Sequence, residues 1–155
     1  MAIEQLIEDL RKGTGLTRAQ AASALGKLKD RKASKALIEA LKDPNEGVRS
    51  NAAFALAEIG AIEAAPSLAQ LLRDPEEWVR KSAAKALGIL KAGTAVPLLV
   101  KAIEDPARIV RKNAIRSLGQ IGTPDALHAL KRASVHLDNS IASMAKEVLL
   151  KLGGD

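Results

Sequence analysis

The chain has 155 residues, a net charge of +6, one phenylalanine, one tryptophan, no tyrosine and no cysteine. The lack of cysteine excludes disulfides, zinc–thiolate sites and cysteine nucleophiles. With 47% apolar and 27% charged residues it is typical of a folded protein, and its richness in Ala and Leu, which are strong helix formers, predicts an all-α fold.

A repeat of 31 residues runs through the chain without gaps. It is marked by Arg18, Arg49, Arg80 and Arg111, which are 31 residues apart. The same register aligns apolar columns, of which the clearest contains Leu25, Leu56, Leu87, Leu118 and Leu149. One repeat cannot bury its own apolar face, so the repeats must stack. The pattern predicts a single domain over 1–155, an α-solenoid of five two-helix repeats.

The first repeat, at about 2–30, is predicted to contain two helices joined by Lys12-Gly13-Thr14-Gly15. The three middle repeats, at about 31–61, 62–92 and 93–123, join their helices with an Asp-Pro turn instead. Asp is a favoured N-cap and Pro is favoured at the first helical position. We therefore predict that each aspartate of these turns caps the second helix of its repeat.

The last repeat, at about 124–153, has His136-Leu137 in place of Asp-Pro, and Lys146 where two inner repeats have Ala53 and Ala84. Polar changes at the two ends are typical of capping repeats.

The apolar spacing and the turns together predict ten helices, at about 2–12, 17–29, 32–42, 45–60, 63–73, 76–91, 94–104, 107–121, 124–135 and 138–152.

The unit resembles the HEAT repeat, and in particular the short HEAT-like repeats of phycobilin lyase subunits. The match rests on Pro66 and Pro97 in first helices, an aspartate eight residues later, an arginine six residues further on, and the segment 80–88. The resemblance implies that second helices line a concave surface. It also implies a ladder of hydrogen bonds between neighbouring repeats, formed by Asp43, Arg49, Asp74, Arg80, Asp105 and Arg111.

No constellation of catalytic or metal-binding residues is visible. The two histidines, His128 and His136, are eight residues apart without a neighbouring acid, which is not the spacing of a helical metal pair. Glycine-rich phosphate loops and a nucleophile elbow are also missing. We therefore expect a protein that is not an enzyme and needs no cofactor and no metal.

The columns that vary between repeats lie opposite the core arc of the second helices. Both large aromatic residues of the chain fall in these columns, together with isoleucines and four cations. Exposed aromatic and apolar residues favour an interface. The predicted partner-binding residues are Phe54, Trp78, Lys81, Lys85, Ile89, Ile109, Lys112, Asn113, Arg116 and Gln120.

These observations favour a protein-interaction scaffold that binds another protein. If the four cations take part in binding, we expect that partner to be acidic. Nucleic acid binding through the basic patch is one alternative, and a subunit or chaperone of a chromophore lyase is another. We expect a monomer or weak self-association. No apolar stretch is long enough to span a membrane, and Glu4, Glu8 and Asp9 make the N-terminus unlike a signal peptide, so a cytoplasmic location is expected.

Overall fold

The computed structural model describes residues 2–153, and this part of the chain contains ten α-helices and no strand. The predicted all-α solenoid is thereby confirmed. The helices are α1 (Ala2–Lys12), α2 (Gly15–Leu28), α3 (Ser34–Ala40), α4 (Glu46–Ile59), α5 (Ala65–Gln70), α6 (Glu77–Ile89), α7 (Val96–Ala102), α8 (Arg108–Ile121), α9 (Pro124–Ala133) and α10 (Asn139–Gly153).

The first helices of the middle repeats are shorter than predicted, because each begins as a 3-10 turn. These turns are Arg31–Ala33, Ile62–Ala64 and Gly93–Ala95, and a fourth, Leu71–Arg73, follows α5. Pro66 and Pro97 lie at the second position of α5 and α7. Proline is tolerated there because an N–H in the first turn has no partner within the helix.

The prediction that the aspartates of the Asp-Pro turns cap the second helices is wrong. The N-cap of α4 is Asn45, whose side chain accepts a hydrogen bond from the Val48 N–H at 3.2 Å. Asp43 instead closes the turn, because its side chain accepts a hydrogen bond from the Asn45 N–H at 2.8 Å. The side chain of Asp74 likewise accepts a hydrogen bond from the Glu76 N–H at 3.0 Å. The aspartates stay outside the helices because their carboxylates also serve the neighbouring repeat.

One continuous core runs between the layer of first helices and the layer of second helices. Its largest fully buried side chains include four members of the Leu25 column, and together they are Leu25, Leu37, Leu56, Leu68, Leu87, Leu99, Ile115, Leu118, Leu130, Val48, Val79 and Val110. Burying a side chain of this size contributes about 1.5–3 kcal/mol. Stacking of the repeats is therefore the main source of stability.

Arginine–aspartate pairs join successive repeats at a separation of 25 residues. Arg49 donates from Nε and Nη2 to the two carboxylate oxygens of Asp74, at 2.8 and 3.1 Å, and Arg80 binds Asp105 in the same way at 2.9 and 3.1 Å. In each case Nη1 also donates to the backbone carbonyl of the aspartate in the arginine's own repeat, at 2.8 Å. Each guanidinium thus holds the turn of its own repeat and the turn of the next.

The ladder begins one rung earlier than the resemblance implied, because Arg18 pairs with Asp43 at 2.7 and 2.9 Å. Burial alone would raise the pKa of Asp43. The hydrogen bonds from Arg18 and from the Asn45 N–H, with the charges of Arg18 and Arg49, lower that pKa below its usual value instead.

The ladder does not extend beyond Arg111. The next position in the aspartate column is His136, whose Nδ1 accepts from the Asp138 N–H at 2.9 Å, as the aspartates do in inner repeats. The other ring nitrogen of His136 lies 2.5 Å from a carboxylate oxygen of Glu104. Arg111 keeps its bond to the Asp105 carbonyl at 2.9 Å, but its buried Nε has no hydrogen-bond partner among the described residues.

Arg80→Ala and Arg111→Ala form a matched pair that isolates the contribution of one rung. Arg80→Ala leaves the Asp105 carboxylate buried without its cation, and should lower the free energy of unfolding by about 3–5 kcal/mol. Arg111→Ala loses only bonds to carbonyl groups and should cost about 1–2 kcal/mol. Chemical denaturation followed by circular dichroism measures both. Equal losses for the two variants would show that the ion pairs do not hold the repeats together.

Candidate partner-binding face

The surface of α2, α4, α6, α8 and α10 that points away from the core is called the second-helix face below. All ten predicted partner-binding residues belong to α4, α6 and α8. Phe54, Trp78 and Ile89 are strongly exposed, with 40%, 58% and 42% of their surfaces accessible. Arg116 and Gln120 are exposed as well, and the remaining members are half-buried.

The two aromatic rings each lie beneath a lysine. The Lys85 Nζ is 5.3 Å from the centroid of the Phe54 ring, so this contact connects α6 to α4. The Lys81 Nζ is 5.7 Å from the centroid of the Trp78 ring, one helical turn away on α6. Cation–π contacts of this kind are worth about 0.5–1 kcal/mol at exposed sites. They hold both cations over apolar rings at the centre of the face.

The four predicted cations form no salt bridge with any carboxylate in the described part of the chain: Lys81, Lys85, Lys112 and Arg116. Burial, followed by the charge of Lys85, lowers the pKa of Lys81 below its usual value. This part of the surface therefore carries uncompensated positive charge. An anionic group from outside the chain would reduce the mutual repulsion of the lysines.

Two predicted members of the site are less available than the sequence suggested. Ile109 is half-buried and packs against the core, so it belongs partly to the scaffold. Asn113 donates from Nδ2 to the Ile109 carbonyl at 2.7 Å, which occupies one of its donors within α8. The structure therefore groups Phe54, Trp78 and the lysines into one cluster and leaves these two at its edge.

A groove between α8 and α10, with a volume of about 280 Å³, was missed by sequence reasoning. Its floor is apolar, and cations from both helices lie at its rim. The residues that line it are Lys112, Ile115, Arg116, Gly119, Gln120, Met144, Glu147, Val148, Lys151 and Leu152. It is continuous with the second-helix face because Lys112 and Arg116 belong to both.

Small residues allow the second helices to approach one another closely. A Cβ atom added to Gly88 would lie 2.3 Å from the Ser117 Oγ, so α6 and α8 approach closely. On α10 the positions equivalent to Ser82 and Ser117 are Met144 and Val148. Met144 and Val148 supply apolar atoms to the groove floor, and α8 still approaches α10 closely at Gly119, where an added Cβ atom would lie 2.5 Å from the Val148 Cγ1. The apolar Met144 and Val148, where the preceding repeat has the polar Asn113 and Ser117, are the sequence signal for the groove.

Two further expectations from the sequence concern metal binding and membrane-spanning helices. His128 is exposed and His136 is half-buried, and the described residues contain no group of three or more His, Asp or Glu side chains that could hold a metal ion. Within residues 2–153, no helix is both long and apolar enough to cross a lipid bilayer.

The sequence matches the family model for HEAT repeats over residues 3–88 and again over residues 65–149. The two matches together cover most of the chain. The chain belongs to the HEAT-repeat family. The predicted resemblance is thereby confirmed, and the paired helices described above are HEAT repeats.

Solved structures agree with this assignment. The HEAT-repeat chain is similar to the complex of CpcE and CpcF of phycocyanin lyase from Nostoc sp. PCC7120, with a TM-score of 0.83 and 29% identity. That match covers 99% of this chain but only 65% of the other. No curated protein sequence gives a significant match.

Repeat proteins made by engineering are also similar. One engineered protein has a TM-score of 0.73 and 25% identity, covering 97% of this chain and 78% of the other. A designed armadillo repeat protein in complex with the peptide (KR)4 has a TM-score of 0.68 and 22% identity, covering 96% and 80%. At that identity the second likeness shows the fold alone.

Gly88→Ala tests the close approach of second helices in this HEAT array. The added methyl group would collide with Ser117 at the α6–α8 interface, and overpacking of this kind costs about 1–3 kcal/mol. Gly93→Ala is the matched control, because its nearest neighbour would be the Thr123 methyl group at 3.8 Å. It should leave the free energy of unfolding unchanged or raise it by up to about 1 kcal/mol. Chemical denaturation measures the free energy of unfolding of both variants. If Gly88→Ala leaves that free energy unchanged, α6 and α8 are not as closely packed as described.

Proposed function

We propose that this HEAT-repeat chain is a non-catalytic scaffold that binds a segment of a partner protein across its second-helix face. The observation that carries the proposal is the exposed pair of Phe54 and Trp78, the only large aromatic residues of the chain, each with a lysine over its ring. Repeat scaffolds use such continuous surfaces to bind extended partners.

The aromatic pair suits an interface better than a solvated surface. Leaving two large rings in water has an unfavourable free energy that a partner would remove by burying them. Tryptophan is enriched among the few residues that dominate binding energies. A protein partner with apolar and acidic side chains would cover the rings and neutralise the lysines at the same time.

The packing of the second helices supports a concave shape for this face. The second helices approach one another closely, for example through Gly26 and Gly88, and contact one another more extensively than the first helices do. A solenoid bends toward its tighter layer, and a concave surface contacts more of a bound segment than a flat one does. The concave geometry is thus part of the proposal.

The similarity to the CpcE–CpcF complex supports a protein partner, because in that complex one such subunit is bound to another protein chain. It also makes a lyase-subunit role the second candidate. At 29% identity and 65% coverage of that chain, this candidate rests on similarity and not on any acid or base placed by the described residues.

A paired set of variants tests the proposal. Phe54→Ala with Trp78→Ala should abolish capture of a partner protein from source lysate, whereas Ile62→Ala with Val135→Ala should leave it unchanged. The control removes two exposed apolar side chains, 50% and 80% accessible, that lie outside the predicted columns. With the captured partner purified, titration calorimetry should show at least about a hundredfold weaker binding for the aromatic variant.

Nuclease treatment and salt distinguish protein binding from nucleic acid binding. Recovery of the partner should be indifferent to nuclease. Retention that disappears with nuclease, weakens steeply with salt and survives loss of both rings would overturn the proposal and favour phosphate binding by the four cations. Equal loss of capture in the two double variants would show that the aromatic pair has no special role.

A further inference from the structure

We infer that the groove between α8 and α10 binds a bulky aliphatic side chain of an acidic peptide segment. The inference rests on the proposed function, since the segment would be part of the protein bound on the second-helix face. It adds a second contact point, with its own ligand chemistry, at the C-terminal end of that face. Of the residues that line it, only Lys112, Arg116 and Gln120 were predicted from the sequence to bind a partner.

The floor of the groove has the character of an anchor pocket. Ile115 is fully buried beneath it, Met144 and Val148 are half-buried, and Leu152 is 49% exposed at one end. The volume of about 280 Å³ lies at the lower limit for small-molecule sites. It suits one or two side chains and not a cofactor. Methionine adapts to aliphatic side chains of different shape, so leucine, isoleucine or methionine would all be accepted.

The rim of the groove selects for negative charge beside the anchor. Lys112 and Arg116 stand on the α8 side, and neither forms a salt bridge with a described residue. On the α10 side, Glu147 is the one acid among the described residues that line the groove, and Lys151 lies 3.2 Å from its carboxylate. The rim therefore has two cations in excess, and the chain as a whole has a net charge of +6. Carboxylates flanking the anchor would complement this arrangement.

The groove and the aromatic pair are placed for one segment to reach both. Lys81 and Lys112 occupy the same column of the repeat, and Lys85 and Arg116 occupy another. The four cations thus form a basic strip that leads from the rings on α4 and α6 to the groove. A segment with acidic residues along its length and an aliphatic residue at one end matches this order of features.

Two natural reporters allow the groove and the aromatic pair to be observed separately. Trp78 is the only tryptophan, and Met144 is the only methionine apart from Met1. Fluorescence of Trp78 reports on the aromatic pair. The methyl resonance of Met144, in protein labelled with carbon-13 methyl methionine, reports on the groove floor.

The probe is the peptide acetyl-Glu-Glu-Leu-Leu-Glu-Glu-amide, and its control has both leucines replaced by alanine. The leucine peptide should shift the Met144 methyl resonance and bind about tenfold more tightly than the alanine peptide, because a larger apolar surface is buried. Equal affinities, or a leucine peptide that leaves the Met144 resonance unmoved, would overturn the inference.

Two protein variants of equal charge change test the rim. Arg116→Glu should weaken binding of the leucine peptide about tenfold or more, since an attractive contact becomes a repulsive one. Arg73→Glu alters the net charge by the same amount at an exposed position outside the groove, and should weaken binding less than twofold. If both variants weaken binding of the leucine peptide equally, the effect comes from the net charge alone, and the rim does not select for an acidic peptide.

The two reporters keep this inference distinct from the proposed function. If the identified partner protein quenches or shifts Trp78 fluorescence and leaves Met144 unmoved, the groove is not used and the scaffold proposal stands. If the partner perturbs Met144 and not Trp78, the groove is supported and the aromatic pair fails. If a single-stranded oligonucleotide displaces the leucine peptide at equal charge, the preference for an acidic peptide is wrong.

Discussion

The bidentate pair between an arginine of one repeat and an aspartate of the next is the contact on which the rest of the structure depends. It fixes the turn of each repeat and the register of its neighbour, because one guanidinium reaches both. The Arg49–Asp74 pair is largely shielded from water, with 13% and 5% of its side chains exposed. A pair in such a setting gives specificity of register, since a shifted repeat would leave both charges buried and unpaired. The order of residues on the second-helix face follows from that register.

Much of this fold could be predicted, because the periodic columns describe burial directly. The leucines of the Leu25 column are buried in the inner repeats as expected, since a 31-residue period places them on one face of every second helix. The predicted capping residue of the second helices in the middle repeats was wrong for a physical reason, although those helices begin within one residue of the predicted positions. Asp43 could cap α4 locally, but its carboxylate has a charged partner across the repeat boundary, and a local propensity argument does not include that partner.

The exposure of a side chain could be predicted where it depends on the geometry of a single helix. It could not be predicted where it depends on how two helices pack together. A helical wheel places Phe54 and Trp78 outward, and both are exposed. The wheel does not show that Ile109 packs against the core or that a lysine of α6 lies over a ring of α4. The groove beside α10 lies between two helices, with Met144 and Val148 where the preceding repeat has Asn113 and Ser117, and a pattern read from one helix at a time does not contain such a space.

Photo-crosslinking in source cells would show whether a protein binds on the second-helix face. A benzophenone amino acid would be placed at position 78, and in a parallel strain at position 62, which is similarly exposed but lies outside the predicted columns. A protein bound on this face would give a discrete adduct from position 78 that is missing from position 62. The same adducts from both positions, or an adduct from position 78 that nuclease removes, would contradict it.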